Sequence, residues 1–261
     1  MRDPGRDALV TWAVVAVLVT VLVRINVTLP WIGHLGSALV AVLFLYSPVY
    51  VAWRRHEELE DYGFVIATPA EAAVARGRFG RLWLVLRYLG ARDLKYAFGA
   101  IAAIFPVFAF GYFAFYEVAC NSSLLAHLVP RNMCSHYGGL AALHAPALTP
   151  DFIEFCLVQL VVVALPEELF FRGFLLELLE RKFPPKRRIL GGGVGLALVL
   201  SSAAFALIHL PKDGDPRALA TFFPGLLFGW MRSATGSILA STVTHGCSNI
   251  LIRLLDLTVL R

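Results

Sequence analysis

The chain has 261 residues, 58% hydrophobic and 16% charged, with a formal net charge of +5. A water-soluble domain is about 45–50% apolar and about 25% charged, so these values exclude an ordinary soluble globule. The positive balance does not indicate nucleic acid, because the basic residues fall between apolar segments, as they do in membrane proteins.

At about 20 apolar residues per bilayer crossing, candidate spans lie near 8–29, 31–53, 96–118, 151–178, 192–210, 216–232 and 236–258. The first is too long for a signal-peptide core, and no small-residue cleavage site follows it cleanly. The sequence therefore predicts an all-α, polytopic membrane helical bundle of about seven transmembrane helices plus an inner-surface amphipathic helix. Three units are expected: 1–95, two peripheral spans and a cytosolic amphipathic segment; 96–150, the third span and an outer loop; and 151–258, the helical core. With the N-terminus inside, 16 Lys and Arg fall in inner segments and 5 in outer ones. That bias predicts N-in, C-out, with the bilayer as a partner and a bacterial inner membrane as the setting.

Between the second and third spans, Thr68–Glu71 (TPAE) reads as a capping box that starts a helix. The following stretch, 78–96, mixes Leu, Trp and Tyr with Arg and Lys. It is expected to lie on the inner membrane surface or to pack on the bundle. Cys120 and Cys134 fall in the outer loop, where an oxidising periplasm would permit a disulfide. Cys156 and Cys247 fall inside spans and read as small buried hydrophobes. Thr149–Asp151 and Asp215–Arg217 cap the fourth and sixth spans. Small residues crowd 191–195 (GGGVG), 201–204 (SSAA) and Gly225 with Gly229. Such faces let membrane helices approach closely, so the C-terminal half reads as the tight core and the first two spans as periphery.

Ionisable groups inside spans are costly and mark sites. Glu168 and Arg172 are four apart and share a helix face, where they can pair. Glu167 points about 100° away. A buried carboxylate turned away from that pair is a candidate to take a proton from water. His209 ends the fifth span one turn after Phe205, which could hold its ring. His245 and Asn249 lie on one face of the seventh span. Structural readings stand beside these: an interhelical ion pair, an interfacial histidine and a helix–helix hydrogen bond. At about 1.5 Å per residue from the inner boundary, Glu167, His209 and Asn249 stand about 20 Å up and His245 about 13 Å, so the groups can share a layer.

The ordered set E-E-x-x-x-R (Glu167, Glu168, Arg172), F-x-x-x-H (Phe205, His209) and H-x-x-x-N (His245, Asn249), each on its own span, resembles the CPBP intramembrane proteases. That family includes the type II CAAX prenyl endopeptidases and the bacteriocin-processing and immunity proteins. The segment 222–230 (FFPGLLFGW) also resembles the family's helix between the last two motifs. The resemblance covers about 150–255 and implies a glutamate-dependent hydrolase without a cofactor. Glu167 and His209 would activate water, His245 and Asn249 would bind the oxyanion, and Glu168 and Arg172 would orient the catalytic Glu. Zinc held by Glu167, His209 and His245 is a minor alternative, since H-E-x-x-H is missing. Gly246–Ser248 (GCS) would need a base from another helix to act as a serine nucleophile, and Lys212–Asp215 (KDGD) departs from the aspartyl G-x-G-D. A proton-relay transporter and a non-catalytic immunity-type protein are the other readings. As an enzyme, it would have a protein or peptide partner carrying a membrane-associated segment. Prenylated CAAX proteins, leader peptides and C-terminal sorting signals, as for the myxosortase-like members, all remain open.

Overall fold

The computed structural model describes residues 3–25, 27–29, 33–64, 78–125, 133–146 and 149–259, with the backbone alone for 78–79, 81–89 and 212–213. The Thr68–Glu71 capping box lies outside the described residues. Among the described residues the fold is all-α apart from two short antiparallel hairpins. In chain order the elements are α1 (Pro4–Leu22), β1 (Thr28–Leu29), β2 (Gly33–His34), α2 (Leu35–Arg55), a 3₁₀ turn (Leu59–Tyr62), α3 (Arg78–Cys120) and α4 (Met133–His136). A helical run, α5, then covers 150–182 and is followed by β3 (Arg187–Ile189), β4 (Gly192–Val194), α6 (Leu196–Asp213), α7 (Phe222–Thr235) and α8 (Leu239–Val259). Among the described residues, α1, α2 and the Gly90–Cys120 part of α3 are each long and apolar enough to cross a membrane.

Helix α5 is the axis of the molecule. Residues 166–176 are buried without interruption, as a helix enclosed on all sides must be. It begins at Thr149, whose hydroxyl accepts from the amide of Phe152, with Pro150 at the first helical position. Its course is not uniformly α-helical. Wide π turns at Gln159–Ala164 and Leu169–Leu175 flank the α-helical Leu165–Glu168. One Cβ on Gly173 would fall 2.6 Å from the carbonyl oxygen of Tyr62, so the 3₁₀ turn seats directly on this helix.

Three expectations need correction. The first two spans are not peripheral: Val15 and Val19 of α1 and Val40 and Phe44 of α2 share one core with Phe170, Phe171 and Phe174 of α5. The buried residues of α2, Gly36, Val40, Phe44, Pro48 and Ala52, recur every fourth position, so one ridge of this helix faces α5. An apolar span shows no partner by composition alone, which is why this was not legible. Second, the amphipathic stretch near 78–96 is not a separate element, because α3 runs unbroken through it. A lone glycine such as Gly90 weakens a helix by about 1 kcal/mol without ending it. At its full length α3 measures about 64 Å, roughly twice a hydrocarbon core. Third, the fifth span starts at Leu196 rather than 192, because Gly192–Val194 pairs with Arg187–Ile189 as a hairpin. Leu190 and Gly191 turn it with positive φ of 48° and 85°, as a two-residue hairpin loop requires. The glycines serve close approach to α7: a Cβ on Gly192 would meet Trp230 at 2.2 Å.

One end of the bundle is tied by charge. Glu57 accepts from Tyr62 and from Arg181 at 2.9 Å. Arg181 also reaches Glu177 at 3.1 Å, Arg55 bonds Asp7 and Glu57, and Lys182 bonds Asp3 at 3.0 Å. Burial alone would raise the Glu57 carboxyl. Hydrogen bonds from Tyr62, Arg181 and Arg55, with the charge of Arg181, override it and hold the group below its ordinary value. At the opposite end, Cys120 of α3 and Cys134 of α4 are joined by a disulfide with Cα atoms 5.3 Å apart. Beside it, Tyr116, Ala119 and Val259 form a small second core, and Tyr112 of α3 donates to Asp256 of α8. Cys156 and Cys247 are half-buried thiols.

Candidate active site

A cavity of about 720 Å³ opens between α2, α5, α6, α7 and α8. Glu167, Phe205, His209, His245 and Asn249 all line it. The other two residues singled out from sequence, Glu168 and Arg172, stand behind this wall with side chains 0% and 1% exposed.

Glu168 is the centre of the buried charge. Its Oε1 accepts from Nδ1 of His245 at 2.9 Å and lies 3.3 Å from Nη1 of Arg172. The guanidinium of Arg172 makes no hydrogen bond at Nη1 or Nη2 among the described residues. It is held by this ion pair and by aromatic faces, 4.1 Å above the Phe205 ring and 5.3 Å from that of Phe228. A desolvated cation over a ring gains about 2 kcal/mol. Phe228 also stacks on His245, with centroids 5.0 Å apart and planes at 16°. The His245 ring is thus fixed by Glu168 at one nitrogen and by Phe228 across its face. Its other nitrogen, Nε2, lies 3.8 Å from Oε2 of Glu167. That separation exceeds a direct hydrogen bond and fits a bridging water.

His209 is set by its own helix. Its Nδ1 lies 2.7 Å from the carbonyl oxygen of Phe205. A carbonyl carries no proton, so Nδ1 donates, and in the neutral ring Nε2 is the acceptor. Phe205 also meets the His209 ring edge-on at 4.8 Å and that of His245 at 5.8 Å. Asn249 donates from Nδ2 to Oε1 of Gln159 at 2.9 Å.

Sequence reasoning missed three participants. Gln159 carries the sole amide or charged side chain between Glu154 and Glu167, a signal that was available. Phe228 lay inside the segment resembling the family's helix, but nothing marked it as the ring under His245. His34, just before α2, lines the cavity and bonds Thr28 at 3.3 Å; it fell inside the expected 31–53 span but was not singled out. Among the described residues, no three His, Cys, Asp or Glu side chains form a group able to hold a metal ion.

The bundle brings acidic, basic and amide side chains together on one cavity between its apolar helices. Residues 149–251 match the family model described as type II CAAX prenyl endopeptidase Rce1-like. Over that segment the chain is similar to a family of membrane proteases, and its long apolar helices point to an integral membrane protein. No curated protein and no solved structure matches the chain.

Proposed function

We propose that the protein is an intramembrane endopeptidase that hydrolyses a peptide bond near a membrane-associated segment of its substrate. The observation that carries this reading is that Glu167, His209, His245 and Asn249 line one cavity while Glu168 and Arg172 brace it from behind. Glu167 takes a proton from a water positioned with the help of His209, whose Nε2 accepts in the neutral ring. The water oxygen bonds the scissile carbonyl carbon, and the carbonyl π electrons move to its oxygen. Asn249 donates to that oxyanion, and so does Nε2 of His245 when the ring carries a second proton besides the Nδ1–H held by Glu168, the kind of preset electrostatic contact worth most in a dry site. Collapse of the tetrahedral adduct breaks the C–N bond, and the proton held by Glu167 passes to the leaving amine. Glu168 acts through His245, fixing which nitrogen faces the cavity. The reaction so written uses no cofactor; zinc, the minor alternative, would need Glu167, His209 and His245 to draw into a metal-holding group that they do not form here.

The family description points to prenylated CAAX termini, and the apolar α2 wall at Val40 and Phe44 offers room for an apolar anchor. Leader peptides are one competing substrate class, and C-terminal sorting signals, as for a myxosortase-like enzyme, are another. The orientation is N-in, C-out in a bacterial inner membrane. The test is cleavage in detergent by wild type and Glu167→Gln, with and without a strong zinc chelator. The substrates are farnesylated CAAX peptides, leader peptides and C-terminally anchored peptides. Chelator-resistant cleavage that needs Glu167 is expected. Normal turnover by Glu167→Gln would refute the mechanism, and loss to the chelator alone would reassign the same residues to a metal.

A further inference from the structure

We infer that Gln159 is a positioning residue for the hydrolysis, acting through Asn249; this rests on the reading of Asn249 as an oxyanion donor. Gln159 opens the first π turn of α5 and lines the same cavity as Glu167 and Asn249. Its Oε1 accepts one N–H of Asn249 at 2.9 Å, which leaves the second N–H of that amide for a ligand in the cavity. The constraint is needed because the terminal torsion of an Asn is broad and roughly two-fold. Unheld, the amide would present oxygen as readily as nitrogen, and an oxygen facing an oxyanion repels it.

The backbone is built to keep this contact in register. Next to Gln159, Leu160 packs on Gly246, one turn before Asn249. A Cβ on Gly246 would fall 2.4 Å from Leu160 Cδ2 and 3.2 Å from its Cα. Helices α5 and α8 therefore meet backbone to backbone at this point. The close approach brings the short Asn side chain within reach of Gln159. Ser248, also on the cavity wall, turns its hydroxyl back to the carbonyl of Thr244 at 2.7 Å, and the Gln159–Asn249 amide pair bridges the two helices here.

The experiment is a double-mutant cycle on full-length protein with Gln159→Met, Asn249→Ala and the double variant. The substrate is the peptide cleaved by wild type in the assay above. Methionine keeps the volume and the unbranched shape while removing the acceptor. Removing an oxyanion donor outright costs about 10²–10³ in kcat. Losing only its orientation should lower kcat about 10–100-fold, with KM within about twofold. The double variant should be no slower than Asn249→Ala, because the two act as one unit. Unchanged kcat in Gln159→Met, or losses that multiply in the double, would overturn the inference. Full activity of Asn249→Ala would instead strike the oxyanion role itself. The contact is also read without any substrate, by melting the same four proteins. Non-additive shifts in melting temperature support the pairing, and additive shifts overturn it.

Discussion

Replacing Glu168 by Gln removes one negative charge and little else, yet the geometry makes it a severe change. Arg172 is 1% exposed, its nearest anion is Glu168 at 3.3 Å, and its Nη atoms make no hydrogen bond among the described residues. Breaking a buried pair from one side costs about 3–5 kcal/mol, because an uncompensated charge remains. For a chain of this size that corresponds to a fall in melting temperature of about 10 °C. Neutralising both partners removes the stranded charge. Glu168→Gln/Arg172→Met should therefore recover most of the stability, although each single variant is destabilised. Cleavage should not recover, because His245 loses the carboxylate that orients it at 2.9 Å. The assay is thermal unfolding in detergent on the four proteins, with cleavage measured in parallel. A Glu168→Gln protein within about 1 kcal/mol of wild type would refute the argument. So would a double variant less stable than either single one.

Acid should loosen the charged end of the bundle. The folded Glu57 carboxyl lies below its ordinary value of 4.5, so its stabilising contribution is complete above that value and fades as pH falls through the lower folded value. Melting temperature followed from neutral pH down to about pH 3 should drop, and Glu57→Gln should flatten that part of the curve; a parallel curve would refute the role. Cys120 and Cys134 close a loop with a sequence separation of 14, for which the bridge contributes about 3 kcal/mol. Mild reduction should lower the melting temperature and make both thiols alkylable, while Cys120→Ser/Cys134→Ser should no longer respond to reductant.

Where the sequence was legible, the reason was cost. Glu167, Glu168, Arg172 and His245 stood out because ionisable groups are expensive in an apolar span. The four-residue spacing anticipated the Glu168–Arg172 ion pair and put His245 and Asn249 on one face. What was hidden depended on partners. No pattern in α2 announces that Val40 and Phe44 wall a cavity on another helix. The glycines of 191–193 looked like a helix-packing face, but Trp230 and Ser233 occupy the space a Cβ would need. Leu190 gave no warning of its left-handed turn. The π turns around Glu167 leave no periodic trace in the run of apolar residues that carries them.

Those wide turns have a genetic meaning. A π turn holds one residue more than the α turn it replaces, so each of the two in α5 behaves as a one-codon insertion absorbed within a continuous helix. Deleting a single valine from 161–163 would let the first segment relax to a regular helix with every apolar side chain still apolar. Because the wide turn absorbs its extra residue, the helix on either side would keep its phase, and the change would fall on the side chains within the turn, Gln159 to Ala164. The wide turn that opens at Gln159 is thus stored in chain length, and the smallest possible indel would erase it while hydropathy and composition stayed almost unchanged.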